Sequence, residues 1–217
     1  MRIVLSFSGG KDCILALHHL VEDGHEPTAL LVMYRRDAGR SWVHGLDQPM
    51  LSALADALGL PLLCCEASEQ TYAADMERTL RQAQDMGAEA CVFGDIDTEE
   101  HRRWDEARCA AAGLKAVLPL WQRDRMENAE EAVQLGYRCL IKCVRNGVLP
   151  ESFLGNPLTL DLLDTMRQLG VDPCGENGEY HTVVVDGPLF HHPVEVQNHG
   201  ILRMEHISAV ELRPISR

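Results

Sequence analysis

Arg2-Ile3-Val4-Leu5-Ser6-Phe7-Ser8-Gly9-Gly10-Lys11-Asp12 is the stretch that decides the fold. Its first six residues are mostly apolar and predict a buried strand over 2–7. The residues from Lys11 onward predict a helix over 11–22, with Ile14, Leu17 and Val21 on one face. Between strand and helix lies Ser8-Gly9-Gly10-Lys11-Asp12. Paired glycines let the backbone approach an anion closely and turn successive amides toward it. The helix N-terminus adds a partial positive charge there, and Lys11 a full one. Because the lysine follows the glycines directly, the segment is neither the G-x-x-x-x-G-K-[ST] loop nor G-x-G-x-x-G. Ser8, Gly9, Gly10, Lys11, Asp12 and Cys13 are the candidate phosphate-binding residues.

Outward from this loop, apolar strands and amphipathic helices alternate. Strands are predicted over 29–33, 60–66, 90–93 and 115–118, and helices over 47–58, 69–86 and 99–112. Such alternation implies a doubly wound α/β domain with a parallel sheet covered on both faces. In sheets of this kind ligands gather beyond the carboxyl ends of the strands. The polar, glycine-bearing strand ends are 8–12 and 94–97, which places one site on one edge of the sheet. The pattern changes after Pro119-Leu120-Trp121. Helices over 128–135 and 158–169, and strands over 138–144, 180–185, 194–196 and 201–212, then predict a smaller C-terminal α+β unit. The expected division is 1–119 and 120–217, with Trp121 placed as a wall of the cleft between them.

The chain has 217 residues, a formal net charge of -13 and 46% hydrophobic residues. That charge disfavours non-specific attraction to a nucleic-acid backbone, and Lys and Arg form no basic block. No apolar run reaches the roughly 18 residues that a membrane span needs, and the first residues do not read as a signal peptide. Eight cysteines form no C-x-x-C pair, so reduced core thiols and a cytoplasmic location are expected. The partners implied are small molecules or a protein, with self-association into a homo-oligomer left open.

Further candidates lie beyond the loop. In Gly94-Asp95-Ile96-Asp97, Asp95 sits where a catalytic or Mg²⁺-binding carboxylate is expected, and Asp97 or Thr98 fits a cap for the helix after it, with Asp97 preferred. His101, Arg102 and Arg103 open that helix and read as solvated surface. Glu176, Glu179 and His181 fall within a glycine-bracketed segment suited to general acid–base work. Strand alternation leaves His181 facing either core or cleft. His44, in the loop after the second strand, is a candidate nucleotide contact. The adjacent pairs His18-His19 and His191-His192 cannot converge on one ion and read as structural.

The loop resembles the PP-loop of the N-type ATP pyrophosphatases, which have an adenine nucleotide alpha hydrolase-like fold. Phe93-Gly94-Asp95-Ile96, Pro119-Leu120-Trp121, Cys174-Gly175-Glu176-Asn177-Gly178-Glu179-Tyr180-His181-Thr182 and Asp186-Gly187-Pro188-Leu189-Phe190 together resemble the diphthine–ammonia ligase family. Two departures stand out: Cys13 replaces the usual Ser or Thr, and Asn177 replaces a glycine. The resemblance implies ATP and Mg²⁺ as cofactors, and ammonia and a carboxylate acceptor on a protein or small molecule as partners. A carboxylate would attack ATP to give an acyl adenylate and pyrophosphate, and ammonia would then displace AMP. It further implies that Lys11 stabilises pyrophosphate, that Asp12 and Asp95 serve the metal or the nucleotide, and that Glu176, Glu179 and His181 bind the acyl group or ammonia. Action on another acceptor, as in cobalamin-related salvage, and a non-catalytic nucleotide-binding module are the alternatives. A tRNA-modifying PP-loop enzyme would want a basic surface and paired cysteines, and this chain has neither.

Overall fold

The computed structural model describes residues 1–215, so the last two residues of the expected 120–217 unit lie outside the described residues. The chain runs through β1 (Arg2–Ser6), α1 (Lys11–Glu22), β2 (Glu26–Arg35), β3 (Arg40–Ser41), α2 (Gln48–Leu58), β4 (Leu62–Ala67), α3 (Tyr72–Asp85), β5 (Ala90–Val92), α4 (Glu99–Ala111) and β6 (Lys115–Val117). It continues with α5 (Arg125–Gln134), β7 (Arg138–Arg145), a 3-10 turn at Glu151–Phe153, α6 (Leu160–Gln168), β8 (Tyr180–Asp186), β9 (Val196–Arg203) and β10 (Ile207–Pro214).

The first sheet is parallel except for the short β3. β1 lies between β2 and β5, β4 extends the β2 side and β6 the β5 side. The chain therefore winds one way from β1 through β4 and the other way from β5. The gap between β1 and β5 is the switch point at which α/β sheets bind ligands. Local signals fix the helices. Asp47 caps α2 by accepting from Met50 N at 3.0 Å, and Gly59 ends it in the left-handed region at φ 66°.

The second sheet is antiparallel, in the order β8-β7-β10-β9. The expected single strand over 201–212 is corrected here. It is the end of β9, a turn at 204–206 closed by Met204 N to Ile207 O at 2.9 Å, and most of β10. Alternation continues through the turn, so periodicity alone did not reveal the reversal. Trp121 is also corrected: it does not line the site cavity but lies under the Arg102 guanidinium, 5.1 Å from its ring centroid.

Packing explains the layering. Ile3 and Leu5 point into a core shared with α1, α2 and the second sheet, and Val4 into a core beneath α3 and α4. The shared core runs without a break from Ile3 to Leu212, joining both sheets. All eight cysteines are free, and Cys64 alone among them is more than slightly exposed.

Candidate functional site

The site grows from two strand ends that nearly touch. Gly94 follows β5, and a Cβ there would lie 2.7 Å from Cys13 N and 2.8 Å from the Asp12 carbonyl carbon. Only glycine lets β5 press against the first turn of α1. The loop itself needs Gly9 at φ 80°, and Gly10 because His44 Cε1 occupies the place of a Cβ at 2.4 Å. Inside the loop, Gly10 N donates to Ser8 Oγ at 3.2 Å. Ser8 Oγ donates to Cys13 Sγ at 3.3 Å, and that thiol donates to Gly10 O at 3.2 Å.

A cavity of about 260 Å³ opens over this junction. Of the sequence candidates, Ser8, Lys11, Asp12, Cys13, His44, Asp95, Glu176 and His181 line it, and both halves of the chain contribute. Gly9 and Gly10 lie behind that lining, as does Glu179, which is 8% exposed and accepts from Asn177 Nδ2 at 3.0 Å. Asp97 departs from its expected role. It does not cap α4 but holds Arg125 in a two-pronged pair at 2.7 and 2.8 Å, and Thr98 takes the cap position without a side-chain bond.

Lys11 is 3% exposed, and its ammonium donates to Asp12 Oδ2 at 2.9 Å and to Cys174 O at 2.6 Å. Burial works to lower its pKa, but the attraction of Asp12 helps to hold it well above the ordinary lysine value. Asp12 Oδ1 is buried with no hydrogen-bond partner. Burial, and then the charge of Asp12, push Glu176 up to about 7. Burial also raises Asp95.

The histidines are driven the other way. Burial and then His181 lower His44 to about 3, and burial and then Lys11 lower His181 to about 4. Both rings are neutral at pH 7, with centroids 4.8 Å apart. His44 Nδ1 donates to Thr182 O at 2.7 Å, which fixes its tautomer and leaves Nε2 an acceptor.

His101 is exposed, as expected of a surface residue, and it also reaches the site. It lines the cavity, and its Nδ1 donates to Asp95 Oδ1 at 3.0 Å. A histidine in the first turn of a helix, six residues after a strand-end aspartate, was the available signal. Asp105 was missed: 5% exposed, it is pushed up to about 9 by burial and then by Asp95. A second cavity shares Ser6, Ser8, Val43 and His44 with the first. It is walled by Met33, Trp42 and Tyr72, the last two meeting edge to face at 4.9 Å.

A parallel sheet with a glycine-lysine loop at its switch point, closed by a second sheet, defines an α/β protein of the PP-loop class. The sequence matches the family models described as the diphthamide synthase N-terminal domain, over residues 1–116, and C-terminal domain, over residues 124–211. A Danio rerio protein named diphthine–ammonia ligase is 31% identical over 216 residues, covering 88% of this chain and 84% of its own. The Mus musculus protein of that name is 26% identical, covering 91% and 84%. The Schizosaccharomyces pombe one is 28% identical, and there the match covers 88% of this chain but 35% of the longer relative. The chain belongs to the diphthine–ammonia ligase family. Among solved structures, a predicted subunit of a tRNA methyltransferase from Methanocaldococcus jannaschii matches 89% of this chain and 100% of its own at 14% identity, with a TM-score of 0.46. Among the described residues no helix is long and apolar enough to cross a membrane.

Proposed function

We propose that this chain is an ATP-dependent amide ligase that activates a carboxylate as an acyl adenylate, releases pyrophosphate, and lets ammonia displace AMP. One observation carries the reading. The loop cation Lys11, the carboxylates Asp12, Asp95 and Glu176, and the neutral rings His44 and His181 all line one cavity.

In this reading the pyrophosphate end of ATP lies on the 8–12 loop, where the Lys11 ammonium and the start of α1 meet the charge that develops on the leaving group. The second cavity takes the adenosine end, with the Trp42 and Tyr72 rings among its walls. Glu176 accepts the proton that ammonia loses on attacking the acyl carbon, a task suited to a base near pH 7. His181 and the acceptor nitrogen of His44 orient the attacking or leaving group. Glu179 works from behind, holding the turn through Asn177. The acceptor is a carboxylate on a protein or small molecule; the named relatives act on diphthine.

The residues fit a bound Mg²⁺. Asp12 offers a buried, unpartnered oxygen, and Asp95 lines the same cavity. Among the described residues no group of three or more acidic, histidine or cysteine side chains could hold a metal. An ion here would be bound by one or two carboxylates together with phosphates and water. The ion would supply charge neutralisation at the phosphates, which a cavity with three carboxyl groups and one ammonium otherwise lacks. The division of labour at 1–119 and 120–217, and a cytoplasmic setting, belong to the same reading.

The test is incubation with ATP, Mg²⁺, ammonia and a candidate carboxylate, with AMP resolved from ADP. AMP and pyrophosphate are expected, and Lys11→Ala should lower their formation by about 100-fold or more. ADP as product, or an unimpaired Lys11→Ala, sinks the reading.

A further inference from the structure

Helix α1 begins without a local cap. Its cap residue is Gly10, which has no side chain to offer, and the His44 ring fills the space one would need. A Ser, Thr, Asp or Asn at that position would ordinarily accept from an amide of the first turn. Here the other sheet supplies an acceptor instead, for the free amide of the first helical residue. Thr182, 1% exposed on β8, takes the Lys11 N–H on its Oγ1 at 3.1 Å.

Thr182 is tied to the loop in other ways as well. Its carbonyl accepts from His44 Nδ1 at 2.7 Å, and two residues on, Val184 N donates to Gly9 O at 2.8 Å. Lys11 is thus pinned at both ends by the C-terminal half: its amide by Thr182, and its ammonium by the Cys174 carbonyl at 2.6 Å.

We propose that Thr182 is a positioning residue for nucleotide: its hydroxyl caps α1 from across the inter-sheet seam and thereby sets the phosphate loop and Lys11 in the geometry that receives the anion. The inference rests on the reading of the 8–12 loop as the ATP site. It also revises the division of labour, because the 175–182 segment then serves ATP through Thr182 as well as the acceptor. Without the hydroxyl, the buried Lys11 amide has no acceptor and the first turn of α1 is free to fray. The loop groups then meet the phosphates from an ensemble of positions.

The experiment is calorimetric titration of ATP into the full chain, with Thr182→Val, Thr182→Ser and Lys11→Ala beside the wild type. Thr182→Val, which keeps shape and removes the acceptor, should weaken ATP about 10-fold, the scale of a lost cap, while the KM for ammonia stays within about 2-fold. Thr182→Ser, which restores the acceptor, should recover most of the loss, a rescue that packing alone does not give. Amide exchange on the wild type needs no variant: the Lys11 N–H should be protected before nucleotide is added. If the wild type binds no ATP, or Lys11→Ala binds as well as the wild type, the nucleotide reading itself fails. If those controls hold, the positioning role is overturned by a Thr182→Val that binds ATP as the wild type does or more tightly, by a Ser no better than Val, or by a fast-exchanging Lys11 amide.

Discussion

The parallel and antiparallel sheets reach the cavity by different routes. From the parallel sheet comes a compact unit of a glycine loop, a helix start and Lys11, which together suit an anion, with Asp12, His44 and Asp95 beside it. The antiparallel sheet and the turn before it bring Glu176, His181 and Thr182, about 170 residues away along the chain. The first set gains much of its geometry from local backbone conformation; in the second, His181 and Thr182 are placed by strand pairing between β7 and β8, and Glu176 by the turn before β8, where its amide donates to Asp172. Anion recognition therefore begins within one supersecondary unit and is held from across the seam only at a few points, Thr182, Cys174 and Val184, whereas the proton chemistry is supplied by the second unit itself.

Three substitutions put this contrast at risk, and Glu176→Gln should have the largest effect. If the antiparallel side does the proton chemistry, amide formation should fall by about 100-fold while ATP affinity stays within a few-fold. The pH profile sharpens the test. A base must be deprotonated to act, so with Glu176 near 7 the wild-type rate should rise with pH through that value, and the Gln variant should lose this limb. A Gln variant that turns over normally would take the proton chemistry away from the second sheet.

Gly94→Ala probes the parallel side through packing. The added methyl meets backbone atoms of Asp12 and Cys13, which cannot swing aside. A loss of about 1–3 kcal/mol of stability is expected, accompanied by weaker ATP binding because α1 is displaced at its start. Unchanged melting together with unchanged affinity would show that β5 and α1 do not need their close approach.

Cys13→Ser should do the least. The thiol already bridges Ser8 Oγ and Gly10 O, and a hydroxyl serves both partners with stronger bonds. Activity should stay within about 2-fold of wild type or rise above it. An inactive serine variant, with Cys13 trapped as a covalent adduct during turnover, would make the thiol a nucleophile instead.

Legibility in the sequence tracked the same contrast. The 11–22 helix and the strand before it were readable because loop chemistry, apolar spacing and strand length agreed within a dozen residues. The cavity residues Lys11, Asp95 and Glu176 were reachable from residue type and motif. The reversal at 204–206 was not, since it carries no glycine or proline and the alternation continues across it. Nor were the partners of Asp97 and Thr182. A capping aspartate and an ion-paired one look alike until Arg125 arrives from another element, and nothing local says that a threonine on β8 will finish α1.

The unbroken core from Ile3 to Leu212 bears on how substrates come and go. Many two-part sites open by swinging one body away from the other about a hinge. Here such a swing would expose the apolar faces that α1 and α2 share with the second sheet, at a cost close to that of unfolding. Substrates therefore have to reach the cavity while the two sheets stay packed together.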